Sequence, residues 1–179
     1  MVEVVNIVGT GKIPVELDLS QLAGDINLHQ VNHQTKSGEG LYLKFSEESP
    51  MVILATAGKY IITGADSFPE VDETQEKLFD LLSSLGITTD NNSDISINNV
   101  VCTDELNTEV DLRSLAVALD FERVEYEPEQ FGGLIFRSNR SDAVGLVFST
   151  GKVVITGVPS EEDAKLALDE LTEDAAELI

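Results

Sequence analysis

A chain of 179 residues with 42% hydrophobic content holds enough apolar material for one domain, or two small ones sharing a core, which excludes a wholly disordered protein. Its 33 acidic side chains against 11 basic ones give a net charge of −22, which excludes non-specific attraction to nucleic acid or anionic membrane at ordinary salt. The same acidity fits adaptation to molar salt, where the Debye length falls to about 3 Å.

In chain order, the Val- and Ile-rich start predicts a strand over about 2–10. A short helix follows from Asp18, which serves as N-cap for LSQLA. Strands are expected near 27–34, 40–46, 51–56 and 59–64, the last being the glycine-bounded run GKYIITG. A helix over 70–85 carries Leu78, Leu81, Leu82 and Leu85 on one stripe. The polar stretch TTDNNSD (88–94) then reads as a linker.

The order repeats. NIVGTGKIPVELDLSQLA (6–23) matches NVVCTDELNTEVDLRSLA (99–116) at an offset of 99 − 6 = 93 residues. The same offset carries Gly40-Leu41 onto Gly133-Leu134 and GKYIITG (58–64) onto GKVVITG (151–157). Three separated matches at one offset define a duplication, with repeats over 1–90 and 91–179. The second repeat is expected to begin with a strand over 95–103 and a helix capped by Asp111. It ends in a helix over 160–178 that carries Ala164, Leu168, Leu171, Ala175 and Leu178, with Asp163 in a weaker version of a capping box after Ser160.

Two long and two short helices can cover only one face of a sheet of about eight to ten strands. Yet the strands are apolar on both faces: Val153 and Ile155 point one way in GKVVITG, and Val154 and Thr156 the other. The uncovered apolar face is expected to be a binding surface or a dimer interface.

Asn99-Val100-Val101, YEPEQFGGLIFR (126–137) and GLVFSTGKVVITG (145–157) resemble the TATA-box-binding protein family, and the resemblance covers essentially the whole chain. It implies an α+β fold: a pseudo-symmetric saddle of two repeats, with a curved antiparallel sheet continuous across both and helices on the convex face. It also implies a general transcription factor of an acidic, halophilic archaeal kind, which binds the minor groove of AT-rich promoter (TATA-box) DNA through its concave sheet. Carried over position by position, Asn6 and Asn99 form a central pair of hydrogen-bond donors. Val8, Ile61 and Thr63 line the groove floor in the first repeat, and Val101, Leu146, Val154 and Thr156 in the second. Phe131 and Phe148 are wedges that enter a base step and kink the duplex. Lys44, Lys59, Arg137 and Lys152 lie at the phosphate rim, and Glu127 and Glu129 contact transcription factor B.

The first repeat departs from this pattern. Subtracting 93 from Phe131 and Phe148 gives Gly38 and Ala55, so both wedges are absent there, and HQVNHQTKSGEG (29–40) resembles no loop of the family. Kinking is therefore expected mainly at one end. The alternative is a diverged paralogue that binds DNA weakly or not at all and regulates through protein contacts. A homodimer through the concave face is compatible with either reading. Basic residues concentrate near the sheet and its loops (Lys36, Lys44, Lys59, Arg137, Arg140, Lys152), whereas the last helix has only Lys165, so DNA binding is expected to weaken little with salt.

Nothing points to an enzyme, cofactor or metal. GTGK (9–12) lacks the glycine spacing and the following Ser or Thr of a phosphate-binding loop. His29 and His33 fall on strand or loop with no further ligands at suitable spacing. Cys102, the single cysteine, ends an apolar run and is expected as a buried thiol. The acidic start MVEVVNIVG carries no secretory signal and no run is long enough to span a membrane, so a soluble, cytoplasmic, nucleoid-associated protein is expected.

Overall fold

The computed structural model describes residues 1–87, 89, 94–176 and 178; most of the expected linker over 88–94 lies outside them. The chain divides into two compact units. One is Asn6–Asn98, and the other joins Met1–Val5 to Asn99–Ile179.

The first unit contains β1 (Glu3–Lys12, from Asn6 onward), α1 (Leu19–Asp25), β2 (Gln30–Gln34), β3 (Gly40–Lys44), β4 (Met51–Leu54), β5 (Lys59–Ala65) and α2 (Phe68–Ser84). Its strands are antiparallel and run in the order β2-β3-β4-β5-β1. The second unit repeats the plan with β6 (Ser96–Glu105), α3 (Leu112–Ala118), β7 (Val124–Glu125), β8 (Gly133–Arg137), β9 (Val144–Phe148), β10 (Lys152–Val158) and α4 (Glu161–Asp174). Here the order is β6-β10-β9-β8-β7, again antiparallel.

The helix starts follow their caps. Asp18 accepts a 3.0 Å bond from the Gln21 N–H, and Asp111 a 3.1 Å bond from the Arg113 N–H, each satisfying a donor that the first helical turn leaves open. Ser160 accepts from the Asp163 N–H and donates its hydroxyl to the Asp163 carboxylate at 2.6 Å. Asp163 is one carbon shorter than the glutamate of a full capping box, so the reciprocal bond closes on the cap hydroxyl instead of its backbone. α2 begins differently: Ser67 makes no side-chain cap, Pro69 starts the turn, and Glu70 reaches back to the Asp66 N–H at 3.0 Å.

Within each unit the helices cover one sheet face, α1 and α2 in the first and α3 and α4 in the second. Ile7, Leu41, Leu43, Val52, Leu54, Tyr60 and Ile62 are buried beneath Val71, Leu78 and Leu82 of α2 and its neighbour α1. The second unit buries Val100, Cys102, Leu134, Phe136, Val147, Val153 and Ile155 with Ala164, Leu168 and Leu171 of α4. Cys102 is thus the buried thiol expected, and burial pushes its pKa up. No helix is long and apolar enough to cross a membrane among the described residues.

The repeats conserve core volume by exchanging large and small residues across strands. Phe136 faces Gly145 in the second unit, where the first unit pairs Leu43 with Val52. Tyr60 faces Gly11 in the first unit, where the second pairs Val153 with Asp104. A Cβ on Gly145 would fall inside the Phe136 ring. Gly145→Ala is therefore expected to destabilise the protein by about 1–3 kcal/mol, the usual cost of overpacking. The companion Phe136→Leu should recover part of that loss in a thermal unfolding series.

The units differ at one edge. β2 has five residues, but its counterpart is a single 3-10 turn, Phe121–Arg123, followed by the two-residue β7. Asp120 caps this turn through the Glu122 N–H, so residues that would otherwise extend the strand coil instead.

Candidate nucleic-acid interface

The sheet face left by the helices is formed by alternate residues of the same strands. In the first unit it carries Asn6, Val8, Tyr42, Ile53, Ile61 and Thr63, all half-buried. In the second it carries Asn99, Val101, Ile135, Leu146, Phe148, Val154 and Thr156, also half-buried. All the floor positions expected from the sequence thus lie on the uncovered face of their own unit.

Asn6 and Asn99 are fixed by a shared device. Between Ile62 and Ala65 on β5 two residues oppose one on β1, and the same bulge falls between Ile155 and Val158 on β10. Gly64 (φ +90°) and Gly157 (φ +86°) occupy the bulges, in a backbone region open to glycine. Each bulge frees one N–H from the ladder. The Gly64 N–H donates to Asn6 Oδ1 at 2.7 Å, and the Gly157 N–H to Asn99 Oδ1 at 2.8 Å. With the carbonyl oxygen occupied, the amide Nδ2 of Asn6 makes no hydrogen bond among the described residues and is left as a donor. Thr156 Oγ1 lies 3.2 Å from both amide atoms of Asn99, adding a second restraint in that unit. Sequence comparison picked out the two asparagines but not the glycines that aim them, although glycine closes both GKYIITG and GKVVITG.

Phe131 and Phe148 come together. Their ring centroids are 5.9 Å apart at an interplanar angle of 69°, an edge-to-face pair. Gly133, cross-strand partner of Phe148, makes room for both: a Cβ there would lie 2.8 Å from the Phe131 ring and 3.2 Å from that of Phe148. Phe131 is still 38% exposed. Its backbone is held by the turn 126–131, in which the N–H groups of Gln130 and Phe131 both donate to the Glu127 carbonyl at 2.9 Å. That turn leaves the Glu127 and Glu129 side chains exposed. At the matching positions of the first unit stand Gly38 and Ala55, and no aromatic.

Of the expected rim residues, Lys59 and Lys152 are exposed at the starts of β5 and β10. Lys44 donates to the Glu47 carbonyl at 2.6 Å, and exposed Arg137 lies 3.4 Å from Glu125. Arg140 is turned away from this set and bonds Glu173, which raises its own pKa and lowers that of Glu173. His33 pairs with Glu39 at 3.0 Å rather than with His29. Among the described residues no group of three or more His, Cys, Asp or Glu side chains is arranged to hold a metal ion.

Each unit of this duplicated α+β fold leaves one sheet face uncovered by its helices, and in the second unit that face carries the Phe131–Phe148 pair. A family model of transcription factor TFIID (or TATA-binding protein, TBP) matches residues 1–85 and 94–177. The chain is 40% identical over 179 residues to TATA-box-binding protein C of Halobacterium salinarum, covering 99% of each. It is 36% identical over 172 residues to TATA-box-binding protein 2 of Haloferax volcanii, covering 96% of this chain and 91% of that one. Among solved structures it is similar to Methanococcus jannaschii TBP, at 36% identity and a TM-score of 0.86 over 99% of both chains. The chain belongs to the TATA-binding protein family, with the α+β fold expected from the resemblance, and that family is one of DNA-binding transcription factors rather than enzymes.

Proposed function

We propose that this protein is a transcription initiation factor that binds AT-rich promoter DNA in the minor groove through the uncovered sheet faces of its two units. The observation that carries this reading is the matched pair Asn6 and Asn99, set among half-buried apolar side chains. Their carbonyl oxygens are taken by the Gly64 and Gly157 N–H groups, so that the amide end of each is the one left to donate to DNA. A·T pairs offer only acceptors in the minor groove, whereas a G·C pair adds a donor that would oppose these amides. Val8, Ile61, Thr63, Val101, Leu146, Val154 and Thr156 form the floor contacts, and Lys44, Lys59, Arg137 and Lys152 meet phosphates. Phe131 and Phe148 enter a base step, and the exposed Glu127 and Glu129 beside them recruit transcription factor B. Gly38 and Ala55 leave the other end unkinked.

A promoter gel shift in molar potassium chloride, with and without transcription factor B, tests this reading. A shift that transcription factor B strengthens, and that Glu127→Ala with Glu129→Ala makes insensitive to it, supports the proposal. No shift at any salt, with transcription factor B association intact, identifies a regulator acting through protein contacts. A homodimer that masks the face would instead show as a DNA-dependent change from dimer to monomer.

Asn6→Asp isolates the donor. The carboxylate still accepts from the Gly64 N–H, so the bulge is kept, but an acceptor now faces the groove. Affinity is expected to fall at least about tenfold, as for a lost and reversed hydrogen bond to a charged group, with little change in Tm.

A further inference from the structure

The second unit sets its aromatic pair over Gly133; the first unit has glycine at the matching position, Gly40, and sets a different ring over it. Tyr42 lies two residues along β3 from Gly40, hence on the same sheet face. A Cβ on Gly40 would lie 3.2 Å from the Tyr42 ring and 3.7 Å from Ile53. Tyr42 faces Ile53 across the strand pair, Ile53 faces Ile61, and Ile61 faces Thr10. The ring thus continues the apolar row of the uncovered face and leans toward the end where Gly38 and Ala55 stand. By the 93-residue offset its counterpart is Ile135, so the phenol is a feature of the first unit only. Among the described residues the Tyr42 hydroxyl makes no hydrogen bond, although a half-buried phenol ordinarily finds a partner.

Resting on the reading of this face as a minor-groove binding surface, we infer that Tyr42 is the first unit's aromatic contact to the duplex. It acts within the groove floor rather than between bases. Its ring supplies apolar area where the second unit has an isoleucine, and its hydroxyl donates to a groove acceptor, an adenine N3 or thymine O2. The first unit thereby gains an aromatic hold on DNA while leaving the base step at its end stacked. Gly40 is what allows it: a side chain there would press on the ring, as one at Gly133 would press on Phe131 and Phe148.

The test compares Tyr42→Phe and Tyr42→Ile with the unsubstituted protein for affinity to an AT-rich duplex in molar salt, together with thermal unfolding and hydroxyl-radical footprints. The fold carries isoleucine at the matching place in the second unit, so both variants are expected to keep their Tm. Loss of the hydroxyl in Tyr42→Phe should weaken binding about 3- to 10-fold, and loss of the ring as well in Tyr42→Ile at least about tenfold. The weakened protection should be confined to one half of the site, a localisation that a general loss of stability would not produce. Equal affinities for all three proteins would overturn the inference while leaving the DNA-binding reading intact. Loss in Tyr42→Ile alone would support the ring contact and overturn the hydroxyl bond. Failure of the unsubstituted protein to bind any AT-rich duplex would overturn both the inference and the reading beneath it.

Discussion

Replacing Phe131 and Phe148 together by alanine is expected to weaken binding to AT-rich DNA at least about a hundredfold and to remove the kink at one end of the site. Each ring that stacks on a base contributes about 1–3 kcal/mol. Inserting between bases costs a few kcal/mol of unstacking, a cost general to proteins that wedge apolar side chains into the minor groove, and on the proposed reading the two rings offset it jointly. They act as a unit, edge to face at 5.9 Å over Gly133. Phe131→Ala alone should therefore lose most of the effect, because Phe148 then lacks the ring that orients it. Neither ring belongs to the helix-covered core, and Phe131 is 38% exposed, so the double variant should unfold within a few degrees of wild type. Fluorescence anisotropy of a labelled duplex, paired with a thermal melt, separates the two effects. A double variant that binds as wild type does would exclude insertion at this end.

Glu170→Ala is expected to destabilise the protein by about 1–3 kcal/mol, the range for leaving buried donors without their acceptor, since Arg123 keeps a second partner in Asp174. Glu170 is 4% exposed, on the core side of α4. It bonds Arg123 at 2.7 Å, the Ser138 hydroxyl at 2.5 Å and the Asn139 N–H at 3.0 Å. One carboxylate thus ties the last helix to the turn between β8 and β9 and to the 3-10 turn before β7. Burial pushes its pKa up, but the bonds from Ser138 and Asn139 and the Arg123 charge outweigh burial and hold it below the ordinary value. A carboxylate depressed in this way adds stability above its unfolded pKa of about 4.3, and that stability is lost as pH falls through the lower folded value. The gap in Tm between wild type and Glu170→Gln should accordingly be full at pH 7 and shrink below about pH 4. Comparing the two proteins cancels the relief of self-repulsion that acidification brings to a chain of charge −22. A pair this enclosed should also be little affected by molar salt, unlike the exposed Lys77–Glu73 pair.

Glu170 shows where sequence reading stops. In DELTED it looks like one more acid on a solvated helix face; its burial is set by Ser138 and Arg123, which are remote in sequence. Features written in local pattern were legible: the 93-residue offset, the Asp18 and Asp111 caps, the alternation that separates Val153 and Ile155 from Val154 and Thr156. The expected α4 ran to 178, but the helix ends at Asp174, where no basic residue in the last turn supports its carbonyl end. The second repeat's counterpart of β2 shortens to two residues, because Asp120 caps the 3-10 turn before it through the Glu122 N–H. Within the candidate interface, the asparagines and phenylalanines could be located by resemblance. What aims them could not: Gly64, Gly157 and Gly133 act through a freed N–H or an empty volume, which no side-chain pattern reveals. Tyr42 was hidden for a related reason, since it stands in the middle of β3 rather than at a position matching Phe131 or Phe148.

The central claim is that aromatic insertion occurs at one end of the site only. End-label energy transfer on an AT-rich duplex, comparing wild type with the Phe131→Ala, Phe148→Ala double variant, measures it most directly. A single kink in the wild-type complex, abolished in whatever complex the variant forms at saturating protein, is the predicted result. Two equal kinks, with half of the deflection surviving in the variant, would contradict the account.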